Sequence, residues 1–199
     1  MRLGILGGSF DPPHVGHLLA ASDAVDALGL DRLIFVPAAE QPLKRGGAHA
    51  SGAQRLAMIH FAVDGDPRFG VSPVEIDRKG LSYTVDTLDA FAREFPRAER
   101  YFLIGADAFG LFAQWREPAR VAALATIAVM RRAGQGAEDR TVPAGIAPDR
   151  VTWLETRLVD VSSTEIRERV RRGLPIRGFV AAAVADYIAT AGLYREGTA

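Results

Sequence analysis

Short apolar runs alternate with helical apolar stripes along most of this chain, and few architectures accept that alternation. Leu3 to Leu6 ends at Gly7-Gly8, and Val15 to Leu28 then carries apolar residues at Val15, Leu18, Leu19, Val25 and Leu28. This reads as strand, tight turn, helix. Arg32 to Val36 stops at Pro37, and Leu56, Ile59 and Val63 mark one face of a second helix. Val71 to Ile76, interrupted by Pro73, reads as a third strand, followed by a helix with Val85, Leu88, Ala92 and Phe95 on one side. Tyr101 to Ile104 and Thr126 to Met130 are the fourth and fifth strands, with helical segments around Phe109 and Val121 between them. Repeated strand-then-helix units of this length require a parallel sheet covered on both faces, an α/β doubly wound fold.

From Ala133 to Asp149 the chain turns to Gly, Ala and Pro without periodicity, which marks a surface loop. A last strand, Val151 to Leu154, and two helices, Ser163 to Arg172 and Phe179 to Ala191, then form a small C-terminal helical extension from about residue 160. Against a prior of about 150 residues per domain, residues 1–199 are expected to form a single domain.

Composition removes several functions. Apolar residues make up 48% and charged residues 24%, which suits a folded core, and 24 basic against 24 acidic residues leave no global field to recruit nucleic acid or an anionic membrane. No cysteine is present, so disulfides, thiolate metal sites and cysteine nucleophiles are excluded. The longest nearly apolar stretch, Val121 to Met130, falls short of the roughly 18 residues of a membrane span, and no signal-peptide pattern opens the chain; a cytoplasmic protein is expected. All but two of the basic residues are arginine, the lysines being Lys44 and Lys79. Codon bias explains most of that, yet a compact ammonium in a loop also suits phosphate.

The first strand ends in GGSFDPPHVGH, residues 7–17, where glycines let backbone approach a ligand and a helix start supplies unpaired N–H groups. This is an anion cradle. The dinucleotide fingerprint G-x-G-x-x-G is not met, since Gly4, Gly7 and Gly8 have the wrong spacing and no acidic residue ends the second strand. His14 and His17, three apart, can present both imidazoles from one helix face to phosphate oxygens that gain charge during transfer. A single histidine here is as often a helix cap, but a pair inside a glycine-rich turn points to a ligand. A metal held by Asp11, His14 and His17 is a second reading, although His49 and His60 add no matching spacing.

Residues 160–173 read DVSSTEIRERVRRG. Ser162 and Glu165 fit a capping box, a purely structural helix start. Arg167, one turn further in, adds a forked cation to the hydroxyls of Ser163 and Thr164 and the free N–H groups, which tips the reading slightly toward a second phosphate site over a bare cap.

GGSFDPPHVGH followed near the C-terminus by SSTEIR resembles the nucleotidyltransferase superfamily with the H-x-G-H motif. KGLSYTVDTL (79–88), GADAFGLFAQW (105–115) and the Pro37 to Lys44 loop are similar to bacterial nicotinate-nucleotide adenylyltransferases, and the likeness runs in order from Leu3 to about Arg172. The resemblance implies a Rossmann-like fold that joins ATP, accompanied by Mg²⁺, to nicotinate mononucleotide in NAD biosynthesis. It implies that Gly7, Gly8, Ser9, Phe10, Asp11, His14 and His17 hold the triphosphate, that Ser162, Ser163, Thr164 and Arg167 hold the outgoing pyrophosphate, and that Gly105 and Asp107 meet a ribose. Ser82, Tyr83 and Thr84, with Trp115 and the backbone of Arg116, would hold the nicotinate. His14, His17, Lys44 and Arg167 would carry the catalytic charge stabilisation. The loop departs from the family: where relatives commonly have Asn-Pro-Pro-His-Lys, this chain has Glu40-Gln41-Pro42-Leu43-Lys44, so more of the mononucleotide phosphate falls to Lys44.

Strand order supports the same grouping. In a 3-2-1-4-5 sheet the direction of winding reverses between strands one and four, so HVGH and GAD face one crevice at the carboxyl ends. Two rivals stand: an adenylyltransferase for nicotinamide mononucleotide or pantetheine phosphate, and a non-catalytic nucleotide-binding sensor. Homo-oligomerisation is left open by the sequence.

Overall fold

The computed structural model describes residues 1–42, 47–132, 141–157 and 159–195. Six parallel strands form one sheet in the order β3-β2-β1-β4-β5-β6. They are β1 (Arg2–Gly8), β2 (Arg32–Pro37), β3 (Phe69–Val71), β4 (Glu99–Gly105), β5 (Thr126–Arg132) and β6 (Val151–Thr156). The winding reverses between β1 and β4 as expected, and β6 extends the sheet by one strand beyond β5.

Helices cover both faces: α1 (Val15–Leu28), α2 (Gly52–Val63), α3 (Val74–Arg78), α4 (Thr84–Glu94), α5 (Ala106–Phe109) and α6 (Pro118–Leu124), with α7 (Ser163–Arg171) and α8 (Ala182–Thr190) after the last strand. Strand side chains alternate between two cores, as a buried sheet demands. Leu3, Ile5, Ile34, Val36, Phe102 and Ile104 meet α4 and α6 through Val85, Leu88, Phe91 and Val121. On the opposite face Leu33, Phe35, Tyr101 and Leu103 meet α1 and α2 through Ala21, Val25, Ile59 and Val63. A third cluster lies outside the sandwich, where Met58 of α2 packs with Ile166 of α7 and with Val184, Ile188 and Tyr194 at the end of the chain. The C-terminal helices therefore lie on α2.

The third strand corrects the sequence reading. It pairs Phe69–Val71 with Leu33–Phe35, and the stretch read as strand to Ile76 is instead α3, whose N-cap is Pro73. Proline has no N–H for a ladder and suits a helix start, so the strand ends before it and begins earlier, at Phe69. No helix among the described residues is long and apolar enough to cross a membrane.

Candidate active site

The crevice opens where β1 outruns its neighbour. β1 pairs with β4 only as far as Leu6 opposite Leu103, while Gly7 and Gly8 continue alongside Val36 and Pro37 of β2. Beyond them the chain makes the cradle and enters α1 at its N-cap, His14. Gly8 is needed here because a Cβ would stand 2.8 Å from the ring of Phe10. Phe10 itself is 2% exposed, adopts a left-handed φ of 48°, and sets its ring edge-on to His17 at 5.0 Å and to Phe35 at 5.6 Å. Its side chain thus props His17 from the core.

His14 and His17 do come together, with ring centroids 3.7 Å apart. His14 N–H donates to His17 Nδ1 at 3.2 Å, so the hydrogen-bond geometry assigns the proton of neutral His17 to Nε2. Gly16 gives the His14 ring its place, since a Cβ there would lie 3.0 Å from Nδ1. Burial pushes the His14 imidazole down to about 4, so at pH 7 it is neutral and offers a hydrogen bond, not a charge. Its Nδ1 is buried without a partner.

The start of α7 is bolted onto this cradle. Ser163 Oγ donates to the Pro12 carbonyl at 2.8 Å, and Arg167 Nη1 donates to the Asp11 carbonyl at 2.7 Å. Arg167 Nη2 donates to Thr164 Oγ1 at 3.1 Å, and Nε is buried without a partner. Ser162 caps the helix by accepting from Glu165 N–H at 3.1 Å, so the structural cap and the anion-facing arginine coexist. At the start of α1, Val15 N–H donates to the Phe179 carbonyl and His17 N–H to the His14 carbonyl, each at 2.9 Å, and in α7 Glu165 N–H is taken by Ser162, which leaves the N–H groups of Gly16, Ser163 and Thr164 for a ligand.

The Asp11 carboxylate is engaged elsewhere. Its Oδ2 accepts from His49 N–H at 2.7 Å, and its Oδ1 accepts from Ala50 N–H at 3.1 Å and from Tyr194 Oη–H at 2.7 Å. A carboxylate so occupied is a structural hub of the cradle. The Asp11, His14, His17 metal triad is accordingly not assembled, and among the described residues no group of three or more His, Asp or Glu converges to hold a metal.

The other wall comes from α4 and the turn after α5. Ser82 N–H donates to the Glu40 carbonyl at 2.8 Å, and Ser82 Oγ accepts from Ala39 N–H at 2.9 Å, tying this segment to the loop after β2. Ser9 Oγ reaches the same loop at Gln41 Oε1, 3.0 Å away. Lys44 and Leu43 lie outside the described residues. Thr84 opens α4, leaving its N–H and that of Val85 pointing out of the helix end. The Arg116 guanidinium lies 4.8 Å over the Tyr83 ring and 3.9 Å from Asp86. Trp115, half-buried, sets its ring against Phe102 and Phe112 at 6.0 and 5.2 Å. Phe102 also approaches Gly7, 3.7 Å from where a Cβ would be, so the two walls share one support. Gly105 and Asp107 are exposed at the end of β4, with open space over Gly105.

Two residues that sequence reasoning missed organise the cradle. Arg55, 2% exposed on α2, donates from Nε to the Ala50 carbonyl at 3.2 Å and from Nη1 to the Ser9 carbonyl at 2.9 Å. Its place in the apolar stripe Arg55, Met58, Ile59, Val63 was the available signal, because a cation at a core-facing position must have buried partners. Tyr194, the second, carried no local signal, since its partner lies 183 residues earlier.

Comparison with known proteins identifies the family and the fold. Residues 5–169 match the model of the family described as cytidylyltransferase-like. A Gemmatimonas aurantiaca protein named "Probable nicotinate-nucleotide adenylyltransferase" is 48% identical over 98% of this chain and 93% of its own length. A Thermus thermophilus protein of the same name is 46% identical over 98% of this chain and all 100% of its own. The Plasmodium falciparum nicotinic acid mononucleotide adenylyltransferase complexed with NaAD matches with a TM-score of 0.75 at 17% identity, covering 97% of both chains. The same enzyme complexed with APC matches with a TM-score of 0.76 at 16% identity, covering 97% of this chain and 96% of that one.

Proposed function

The chain belongs to the cytidylyltransferase-like family, among the nicotinate-nucleotide adenylyltransferases, and on that premise we propose that it joins MgATP to nicotinate mononucleotide. The mononucleotide phosphate attacks the α-phosphorus of ATP in line. A new P–O bond forms, the bond to the α,β-bridging oxygen breaks, and pyrophosphate leaves with that oxygen's electrons. The products are nicotinate adenine dinucleotide and pyrophosphate, a step of NAD biosynthesis. No side-chain base is required, because the attacking phosphate is already an anion at pH 7.

The observation that carries this reading is the docking of α7 on the His14–His17 turn, which brings two helix starts, two imidazoles and Arg167 to one crevice. Catalysis by such a site is positioning plus charge stabilisation. His17 offers Nε2–H, His14 a second neutral donor, and Arg167 a charge whose unpartnered Nε can turn to a phosphate oxygen while Nη1 stays on the Asp11 carbonyl. Gly7, Gly8, Ser9 and the free N–H groups line the triphosphate; Ser162, Ser163, Thr164 and Arg167 receive the pyrophosphate. Gly105 and Asp107 meet a ribose. Mg²⁺ enters as part of the substrate, shielding phosphate oxygens. Lys44 is assigned to the mononucleotide phosphate on the sequence alone.

For the base, N–H groups at Thr84 and Arg116 under the face of Trp115 give a wall of donors, which matches a carboxylate and mismatches a carboxamide NH₂. Tyr83 and Ser82 hold that wall in place. Residues 1–199 are taken as one nucleotidyltransferase domain whose helical part runs from about residue 160, working in the cytoplasm where ATP is at hand. The test is product analysis: MgATP and nicotinate mononucleotide should yield equimolar pyrophosphate and dinucleotide. ATP binding without pyrophosphate that depends on the mononucleotide would make the chain a nucleotide sensor and refute the reading.

A further inference from the structure

The C-terminal turn reaches into the cradle from behind. Tyr194 is 7% exposed, and its backbone takes a left-handed φ of 64°. Its ring belongs to the cluster of Met58, Ile166 and Ile188. Its hydroxyl is not needed for that packing, yet it donates to Asp11 Oδ1 at 2.7 Å. Burial and the neighbouring carboxylate both raise the phenol's pKa, so it remains a proton donor throughout the physiological range.

Asp11 gathers what it touches in two directions. Through its carboxylate it holds the N–H groups of His49 and Ala50 and the Tyr194 hydroxyl, and through its carbonyl it accepts Arg167. It also stands three positions before His14, separated only by two prolines that transmit any shift of the backbone. A hydroxyl that touches no substrate is thus one residue removed from the guanidinium and from the imidazole turn.

We propose that Tyr194 is a positioning residue, setting through Asp11 where Arg167 and the His14–His17 turn stand relative to the triphosphate. The proposal rests on the reading of the crevice as a triphosphate site. Without the hydroxyl, Asp11 keeps only the 49–50 loop, through its two N–H groups and the His49 ring Nδ1 at 3.4 Å, and is drawn to that side, carrying its carbonyl away from Arg167. The base wall, which shares no hydrogen bond with Asp11, keeps its geometry.

Tyr194→Phe removes the hydroxyl and preserves the ring. The expected result is a fall in kcat/KM for ATP of about tenfold, the scale of one hydrogen bond to a charged group. KM for nicotinate mononucleotide should stay within about twofold, and a non-hydrolysable ATP analogue should bind more weakly by calorimetry. In an Asp11→Asn background the same substitution should add no further loss, because the route through Asp11 is already broken. Unchanged ATP kinetics and analogue affinity, with only a lower Tm, would make Tyr194 a packing residue and overturn the proposal. So would fully additive losses in the double variant. If the unmodified protein released no pyrophosphate, adenylyl transfer would be retracted separately, and the analogue affinities of the two proteins would still decide the role of Tyr194: weaker binding upholds it, equal binding overturns it.

Discussion

The two walls of the crevice are built differently. On the phosphate side Asp11, His14 and Arg55 are 3%, 9% and 2% exposed; Asp11 is held by the His49 and Ala50 N–H groups and the Tyr194 hydroxyl, and Arg55 holds the Ala50 and Ser9 carbonyls. On the base side Arg116 and Asp86 leave 53% and 38% of their side chains in solvent, and a ring contact and a long ion pair hold them. Buried groups held by several short hydrogen bonds fix a geometry, whereas exposed pairs near 4 Å contribute little and leave side chains free to adjust. The chemistry, which is common to every turnover, thus sits on the stiff wall, and the choice of base is made on the pliant one.

If the stiff wall depends on its buried cation, Arg55→Met should cost the most. It leaves the Ser9 and Ala50 carbonyls without their partner, which together with the lost charge beside Asp11 amounts to about 4 kcal/mol of stability. Urea unfolding would show it, and a loss below about 1 kcal/mol would place Arg55 with ordinary surface arginines.

His17→Ala should separate chemistry from folding. Loss of one preorganised donor to developing charge slows transfer by about 3 kcal/mol, on the order of a hundredfold in kcat, with Tm little changed. His14→Ala should slow it less. Near-normal turnover in both variants would move catalysis away from the cradle.

Acid should reach the stiff wall through His14. The unfolded chain protonates this imidazole near 6.5, while the folded chain holds it neutral until about 4. Over that window the folded state binds fewer protons, so stability is intact above pH 6.5, falls as the pH drops, and has lost roughly 3 kcal/mol from this group below pH 4. Urea midpoints at pH 7 and pH 4.5 should therefore diverge more in the unmodified protein than in His14→Gln. Parallel profiles would show that His14 is solvated.

A smaller effect tests the start of α7. Arg167→Ala should weaken the use of ATP by roughly 1.5–3 kcal/mol at nearly constant Tm, whereas Ser162→Ala should cost about 1 kcal/mol of stability through the lost cap. Kinetics and melting of both variants separate the two roles of that helix start.

Local patterns made most of this legible in the sequence. The strand and helix periods give the sheet and its reversal between β1 and β4, and the GGSFDPPHVGH turn and the Arg167 helix start are contiguous signals. What stayed hidden is nonlocal. Nothing near Asp11 in sequence reveals that residues 49, 50 and 194 bond its carboxylate. Nor does the sequence show that Phe10, within the cradle turn, has a left-handed backbone and a ring buried in the core. The third strand was misplaced because β-branched residues around Pro73 satisfy a strand period that the proline's missing N–H forbids.

The division between a stiff wall for chemistry and a donor wall for the base is tested most directly on the unmodified protein, by measuring pyrophosphate release from MgATP with nicotinate mononucleotide and with its nicotinamide counterpart. The account predicts a KM for ATP that is the same with either, because the cradle does not touch the base. It also predicts a specificity constant at least about a hundredfold higher for nicotinate, since a carboxamide leaves donors unpaired. Equal specificity constants, or a KM for ATP that changes with the base, would contradict it.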